Sequence, residues 1–213
     1  MIDPTVLPAF LIATTLVVVA PGPDNTYIAA VALAQGARSG VLSASGMALG
    51  MVVHVTAAAL GLAVLLRSTP WALEAIRIGG AGYLCWLAWS AFRNRANSED
   101  GGPGRTAAPV VLRRAVLTNL TNPKVVLFFA AFLPQFVRRG HGPVAGQLLV
   151  LGLIFLVVGL VSDSVVGLVA GRLGASASPS GRATRVVNLA AALTFAGLAG
   201  VMIVEALRPA YGA

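Results

Sequence analysis

The chain has 213 residues, of which 57% are hydrophobic and only 10% are charged, and its mean hydropathy is +0.86. A water-soluble domain of this size carries about 25% charged residues, so this composition excludes an ordinary soluble protein and predicts an integral membrane protein. The formal net charge of +8 does not indicate nucleic-acid binding. The arginines cluster in loops between apolar spans, where basic residues set orientation and contact anionic lipid head groups.

Six apolar stretches are predicted in chain order, each close to the roughly 20 residues that cross a bilayer. They cover about Thr5–Ala34, Val41–Leu66, Trp71–Phe92, Ala115–Val137, Val144–Gly171 and Val186–Leu207. The first stretch lacks a basic leading region and a good cleavage site, so it is interpreted as part of a span and not as a secretory signal. The fold class is therefore an all-α integral membrane protein with a single transmembrane domain. It consists of one repeat over about 1–92, a loop over about 93–114 and a second repeat over about 115–213.

The basic residues predict the orientation of the spans. Loops after the first, third and fifth spans contain nine arginines: Arg38, Arg93, Arg95, Arg105, Arg113, Arg114, Arg172, Arg182 and Arg185. The opposite side has five: Arg67, Arg77, Arg138, Arg139 and Arg208. The excess favours a cytoplasmic position for the first set, with both termini outside.

The first span is interrupted by Pro21-Gly22-Pro23-Asp24-Asn25. Two prolines cannot donate backbone hydrogen bonds and clash with the preceding turn, so a helix must open here. Open backbone at membrane depth is tolerated only where it faces protein or a wet cavity. The start of the second half-helix suits an anion such as a substrate carboxylate. Asp24 is either a helix cap or a group that binds a substrate ammonium or a proton.

The fourth span carries a corresponding interruption, with Asn119, Asn122, Pro123 and Lys124. Lys124 either reaches a lipid head group, neutralises an aspartate in the empty protein, or meets a substrate carboxylate. Three spans in each half, each half opening with a broken helix, predict two inverted repeats. Broken helices at matching positions are the best pointer in a sequence to the binding site of a transporter.

His54 and Asp163 occupy matching places in the second helix of each repeat. Either side chain can carry a coupling proton, although His54 can equally make only a hydrogen bond between helices. A charge at the centre of a span costs about 2.5–3.5 kcal/mol if it faces lipid, so Asp24, His54, Lys124 and Asp163 are expected around one central cavity.

These motifs, together with the run Phe128-Phe129…Phe132-Leu133-Pro134-Gln135-Phe136, resemble the LysE/RhtB family of bacterial amino-acid exporters over essentially the whole chain. The resemblance implies efflux of amino acids or their analogues across the bacterial plasma membrane, driven by protons, in a protein that can form a homodimer. It carries the functional positions Pro21, Gly22, Pro23, Asp24, Asn25, Asn122, Pro123 and Lys124. No cofactor, metal or enzymatic activity is expected, and neutral substrates are favoured over dibasic ones. The mechanism predicted is alternating access around Asp24, Asn25, Asn122, Lys124 and Asp163, with Asn119 as a further hydrogen-bonding group.

Two rival functions remain open. A metal-ion or other small-solute exporter normally needs a cluster of His, Cys or carboxylate ligands, whereas His54 and His141 are far apart and Cys85 is the one cysteine. A passive channel also suits broken helices and buried charges. Flux against a gradient distinguishes it from a coupled exporter.

Overall fold

The computed structural model describes residues 2–62 and 106–173, together with isolated positions of the predicted third and sixth spans (78, 82, 85, 86, 89, 189, 193, 196, 197, 200, 203 and 204). All regular structure in these ranges is helical. The third and sixth spans otherwise lie outside the described residues, as do the end of the second span after residue 62 and the loop up to residue 105. The number of six spans and the inverted repeat therefore stay predictions.

Six α-helices are described: α1 (Leu7–Val19), α2 (Pro23–Gln35), α3 (Ala37–Ala57), α4 (Ala108–Leu120), α5 (Pro123–Leu127) and α6 (Val144–Leu173). Shorter helical turns of other types cover Pro4–Val6, Ala58–Leu62, Phe128–Phe132 and Leu133–Phe136. The segment Ala37–Gly61 and α6 are each long and apolar enough to cross a membrane. Two bent pairs add up to two more spans, with angles of 52° between Pro4–Val19 and Pro23–Gln35 and 46° between Ala108–Leu120 and Lys124–Phe136.

The fourth span differs from the sequence prediction at its start. Helix α4 begins at Ala108, whereas the apolar pattern places the span from about Ala115. A proline in the first turn suits a helix start, since its missing N–H would have no partner there anyway. Arg113 and Arg114, predicted in the loop, are exposed on α4, while Val111 on the same helix is buried. Hydropathy placed the start of the helix too late because its first turns are amphipathic.

Close contacts between glycines and neighbouring helices hold α3 at the centre of the described bundle, where it packs against α2, α4 and α6. A Cβ added at Gly46 would lie 2.6 Å from the Cβ of Ala115, and one at Gly50 would lie 2.8 Å from Oδ1 of Asn119. The Gly46-x-x-x-Gly50 motif therefore serves an internal contact with α4.

Three further contacts show which loops share an end of the bundle. At one end the N–H of Thr106 donates to Oε1 of Gln35 (3.2 Å), and Gly171 contacts Ala37. At the other end Asp3 lies 3.9 Å from Nε2 of His141. The turns after the first and fifth spans and the segment before the fourth thus lie together, which agrees with the grouping of the arginines.

An aromatic cluster fills the core beside the second bent pair. Phe128 stacks on Phe155 with ring centroids 4.2 Å apart, and Phe10, Phe129 and Phe132 pack around them. All five are at least 95% buried. The apolar residues after the second proline motif are therefore packing residues that anchor α5 and the turn following it to α1 and α6.

Candidate functional site

The first break separates α1 from α2. Helix α1 ends at Val19, Ala20 is extended, and α2 begins at Pro23. The last carbonyls of a helix have no partner within it. Here the side-chain amide of Asn25 donates to the carbonyls of Val18 (3.3 Å) and Ala20 (3.1 Å). Asn25 thus folds back over the break and satisfies two backbone carbonyls at the end of α1.

The second break separates α4 from α5. Asn122 is the N-cap of α5, and its Oδ1 accepts the backbone N–H of Lys124 (3.1 Å). The backbone carbonyl of Asn119 accepts the N–H of Asn122 at 3.0 Å. Pro123 is the first residue of α5, where a proline costs no hydrogen bond. Both breaks therefore pair a proline with an asparagine that hydrogen-bonds the interrupted backbone.

An ion pair joins the two breaks. Nζ of Lys124 lies 2.9 Å from Oδ2 and 3.1 Å from Oδ1 of Asp24, and it donates to the carbonyl of Ala20 at 2.9 Å. Asp24 and Lys124 are only 6% and 4% exposed. Asp24 also accepts the N–H of Asn25 (2.9 Å) within the first turn of α2, whose N-cap residue is Gly22. Lys124 therefore points into the protein and not toward the head groups.

Gly22 makes room for this ion pair. A Cβ at this position would lie 2.7 Å from Oδ1 of Asp24 and 3.3 Å from Nζ of Lys124. Its backbone is extended, with φ −157°, a conformation open to any residue. Glycine is thus needed here for space and not for backbone freedom.

Asp163 contributes a second carboxylate from the middle of α6. It is 4% exposed, and it lies close enough to Asp24 and Lys124 to interact with both charges. Within residues 2–62 and 106–173 it forms no ion pair. Two carboxylates and one ammonium leave one excess negative charge, which a proton or a cation can neutralise.

Four buried side-chain polar atoms have no hydrogen-bond partner among the described residues. They are Oδ1 of Asn25, Oδ1 of Asn119, Nδ2 of Asn122 and Oγ1 of Thr14. A buried polar atom without a partner costs about 1–3 kcal/mol, so such atoms are commonly completed by water or a ligand. Asn25 offers an acceptor and Asn122 offers a donor, as the two ends of a zwitterion require.

His54 is connected to the second break but lies apart from the ion pair. Its Nε2 is 3.3 Å from the backbone carbonyl of Asn119, and its ring stacks on Phe129 at 5.8 Å. A carbonyl only accepts, so Nε2 carries the hydrogen. This is the hydrogen bond between helices that the sequence analysis held open, and it supports the end of α4.

The sequence profile of the LysE type translocators matches residues 15–206, which is nearly the whole chain. The chain is 32% identical over 130 residues to a leucine efflux protein of Klebsiella pneumoniae, covering 60% of this chain and 61% of that protein. It is 32% identical over 154 residues to a homoserine/homoserine lactone efflux protein of Salmonella typhimurium, covering 72% of this chain and 74% of that protein. The match thus spans about three fifths of the leucine efflux protein. No solved structure matches the chain.

Proposed function

Since this chain belongs to the LysE type translocator family of membrane transporters, we propose that it exports a neutral amino acid or a close analogue across the bacterial plasma membrane. The relatives named for leucine and for homoserine efflux support this substrate class. Neither of these amino acids carries a net side-chain charge.

The observation that carries the proposal is the buried Asp24–Lys124 ion pair between two helix breaks. Burying two charges is expensive, and a buried pair is often no more stable than apolar residues of the same volume. Its position at the only two proline breaks described in residues 2–62 and 106–173 fits a binding site better than a stabilising device. A carboxylate and an ammonium side by side complement the two ends of a zwitterion.

We further propose that export is coupled to protons through the excess carboxylate of the site. Asp163 lies beside the ion pair without an ion-pair partner in the described part of the chain. Proton uptake there would neutralise the excess charge, and loss of the proton would restore it. Asp24 takes part by exchanging Lys124 for the substrate. His54 acts indirectly, since it holds the end of α4 through the Asn119 carbonyl.

In this mechanism two inverted three-helix halves alternate around the central site. The two broken helices, each followed later in the chain by a long apolar helix, support such a repeat. The arginine-rich end is assigned to the cytoplasm, with both termini outside. A homodimer remains a prediction from the family resemblance alone.

A resistance screen followed by reconstituted transport tests the proposal. Cells that overproduce the protein are challenged with toxic amounts of amino acids, dipeptides and analogues, and any protected substrate is then followed in proteoliposomes. Export against a concentration gradient that requires a pH gradient is expected. The inserted Asp24→Asn variant is expected to lose it. Flux that only follows the substrate gradient would instead indicate a passive channel. Protection against no member of the panel would refute amino-acid export.

A further inference from the structure

The ammonium group of Lys124 sits in a small oxygen-lined cradle at the first break. The cradle consists of the Ala20 carbonyl and the Asp24 carboxylate, and Nζ contacts their oxygens at 2.9–3.1 Å. Lys124 reaches this cradle from the second break, 100 residues away in the chain. One half of the protein thus supplies the oxygens and the other half supplies the cation.

An unwound carbonyl beside a carboxylate is a cation site in transporters with broken helices. In this chain the cation is tethered, because it belongs to a side chain. Lys124 can leave the cradle, since a lysine side chain has several rotatable bonds and its ammonium group can donate hydrogen bonds to acceptors in many arrangements. An untethered ammonium of the same charge fits the same oxygens.

We infer that this cradle is the subsite for the α-ammonium group of the substrate, and that Lys124 occupies it as a stand-in while the carrier is empty. The inference rests on the proposed function. When the amino acid enters, its ammonium group takes the cradle, and Lys124 turns to the substrate carboxylate. The free Nδ2 of Asn122, on a residue only 1% exposed, donates beside Lys124 to the same carboxylate.

The exchange makes the site selective for zwitterions. After exchange Asp24 faces the substrate ammonium and Lys124 faces the substrate carboxylate, so each buried charge keeps one partner. An amine without a carboxylate would leave Lys124 unpaired, and an acid without an amine would leave Asp24 unpaired. Leaving a buried charge without its partner is strongly unfavourable. Both analogues are therefore expected to bind at least about a hundredfold more weakly than the amino acid.

Ligand binding to the purified full-length protein tests the exchange, because removing one charge of the pair should change which ligand charges the protein binds. The probes are leucine, leucinamide and 4-methylpentanoate, or the corresponding trio for whichever amino acid the resistance screen selects. Binding is measured from the shift of the thermal unfolding midpoint with ligand concentration. The wild type is expected to bind only the zwitterion. Lys124→Met empties the cradle and is expected to bind leucinamide at least about tenfold more tightly than the wild type does. Asp24→Asn is expected to gain 4-methylpentanoate in the same way.

A second measurement uses the wild type and does not depend on any variant folding. Lys124 is the single lysine of the chain, so protein labelled with ¹⁵N at the lysine side chain gives one ammonium signal. The zwitterion is expected to shift this signal, because Nζ exchanges the Ala20 carbonyl and Asp24 for the substrate carboxylate. Leucinamide at the same concentration is expected to leave it unchanged.

The outcomes separate this inference from the proposed function. If the wild type binds none of the amino acids, the proposed function fails and the inference fails with it. If the wild type binds a zwitterion but its lysine signal does not move, or folded variants gain neither analogue, the cradle is a structural ion pair and only the inference is overturned. A wild type that binds leucinamide as tightly as leucine also overturns it.

Discussion

Replacing Gly22 by alanine separates the role of the ion-pair geometry from the role of its charges. The new Cβ would lie 2.7 Å from Oδ1 of Asp24 and 3.3 Å from Nζ of Lys124, so one or both groups must move. The backbone itself gains no strain, because its φ of −157° suits alanine. Both charges remain present.

The expected loss follows from the distances. Restoring ordinary contact moves the carboxylate by about 0.7 Å, which lengthens the 2.9 Å ion pair to about 3.6 Å. At an effective dielectric constant of about 20 this weakens the attraction by about 1 kcal/mol, and losing one charged hydrogen bond adds about 1.5–3 kcal/mol. We expect a total of about 2.5–4 kcal/mol, or roughly 70-fold to about 900-fold in the equilibrium that closes the empty site.

The assay is amino-acid export from proteoliposomes together with the thermal unfolding midpoint of the purified protein. For a chain of this size the midpoint falls by about 2–4 °C per kcal/mol. Gly146→Ala is the matched control, because a Cβ there has only one neighbour within range, Cγ of Pro143 at 4.0 Å. Gly22→Ala should lower both export and the midpoint, and the control should change neither. Export by Gly22→Ala at the control rate would refute the argument that the pair must close.

Three further predictions concern the charges and the packing around them. Asp24→Asn should abolish export and destabilise the protein by about 3–5 kcal/mol, since Lys124 is left unpaired. Adding Lys124→Met to this variant should recover stability without recovering export. A double-mutant cycle in thermal unfolding measures this, and a double variant no more stable than Asp24→Asn would contradict it. Asp163→Asn should fold normally, because this carboxylate has no ion-pair partner in the described residues. Export by this variant should no longer depend on an imposed pH gradient. If its export depends on the gradient as strongly as that of the wild type, coupling through Asp163 is contradicted. Gly50→Ala should lower the free energy of unfolding by about 1–3 kcal/mol, because the new Cβ would lie 2.8 Å from Oδ1 of Asn119 and push α3 away. An unchanged unfolding midpoint would show that the contact relaxes freely.

Local signals in the sequence carried most of what could be predicted about the site. Prolines act on their own backbone, so the positions of both breaks follow from Pro21, Pro23 and Pro123 without any knowledge of the fold. The expectation that Asp24 lies inside the protein rests similarly on the cost of a charge in lipid, whereas for Lys124 the sequence left a position at the head groups open.

Partner choice could not be predicted, because it depends on how helices dock. The sequence offered Lys124 two aspartates, and the geometry pairs it with Asp24 while Asp163 interacts only at longer range. The backbone carbonyl of Ala20 gives no sequence signal at all, although it contacts the lysine directly. The sequence likewise did not indicate that His54 contacts the backbone carbonyl of Asn119.

The crossing of α3 and α6 has a mechanical consequence. A Cβ at Gly40 would lie 2.7 Å from the Cα of Gly167, so the two helices touch there through bare backbone. Further along the same crossing the side chains of Met51 and Val55 pack against Gly159 and Gly152 of α6, so a tilt about the Gly40–Gly167 contact would have to separate them. The rise of about 1.5 Å per residue puts His54 about 21 Å from this fulcrum, so a tilt of only 10° would swing that end of α3 by about 4 Å. A small change of angle at the Gly40–Gly167 contact would thus become a large displacement at the end of α3 that carries His54.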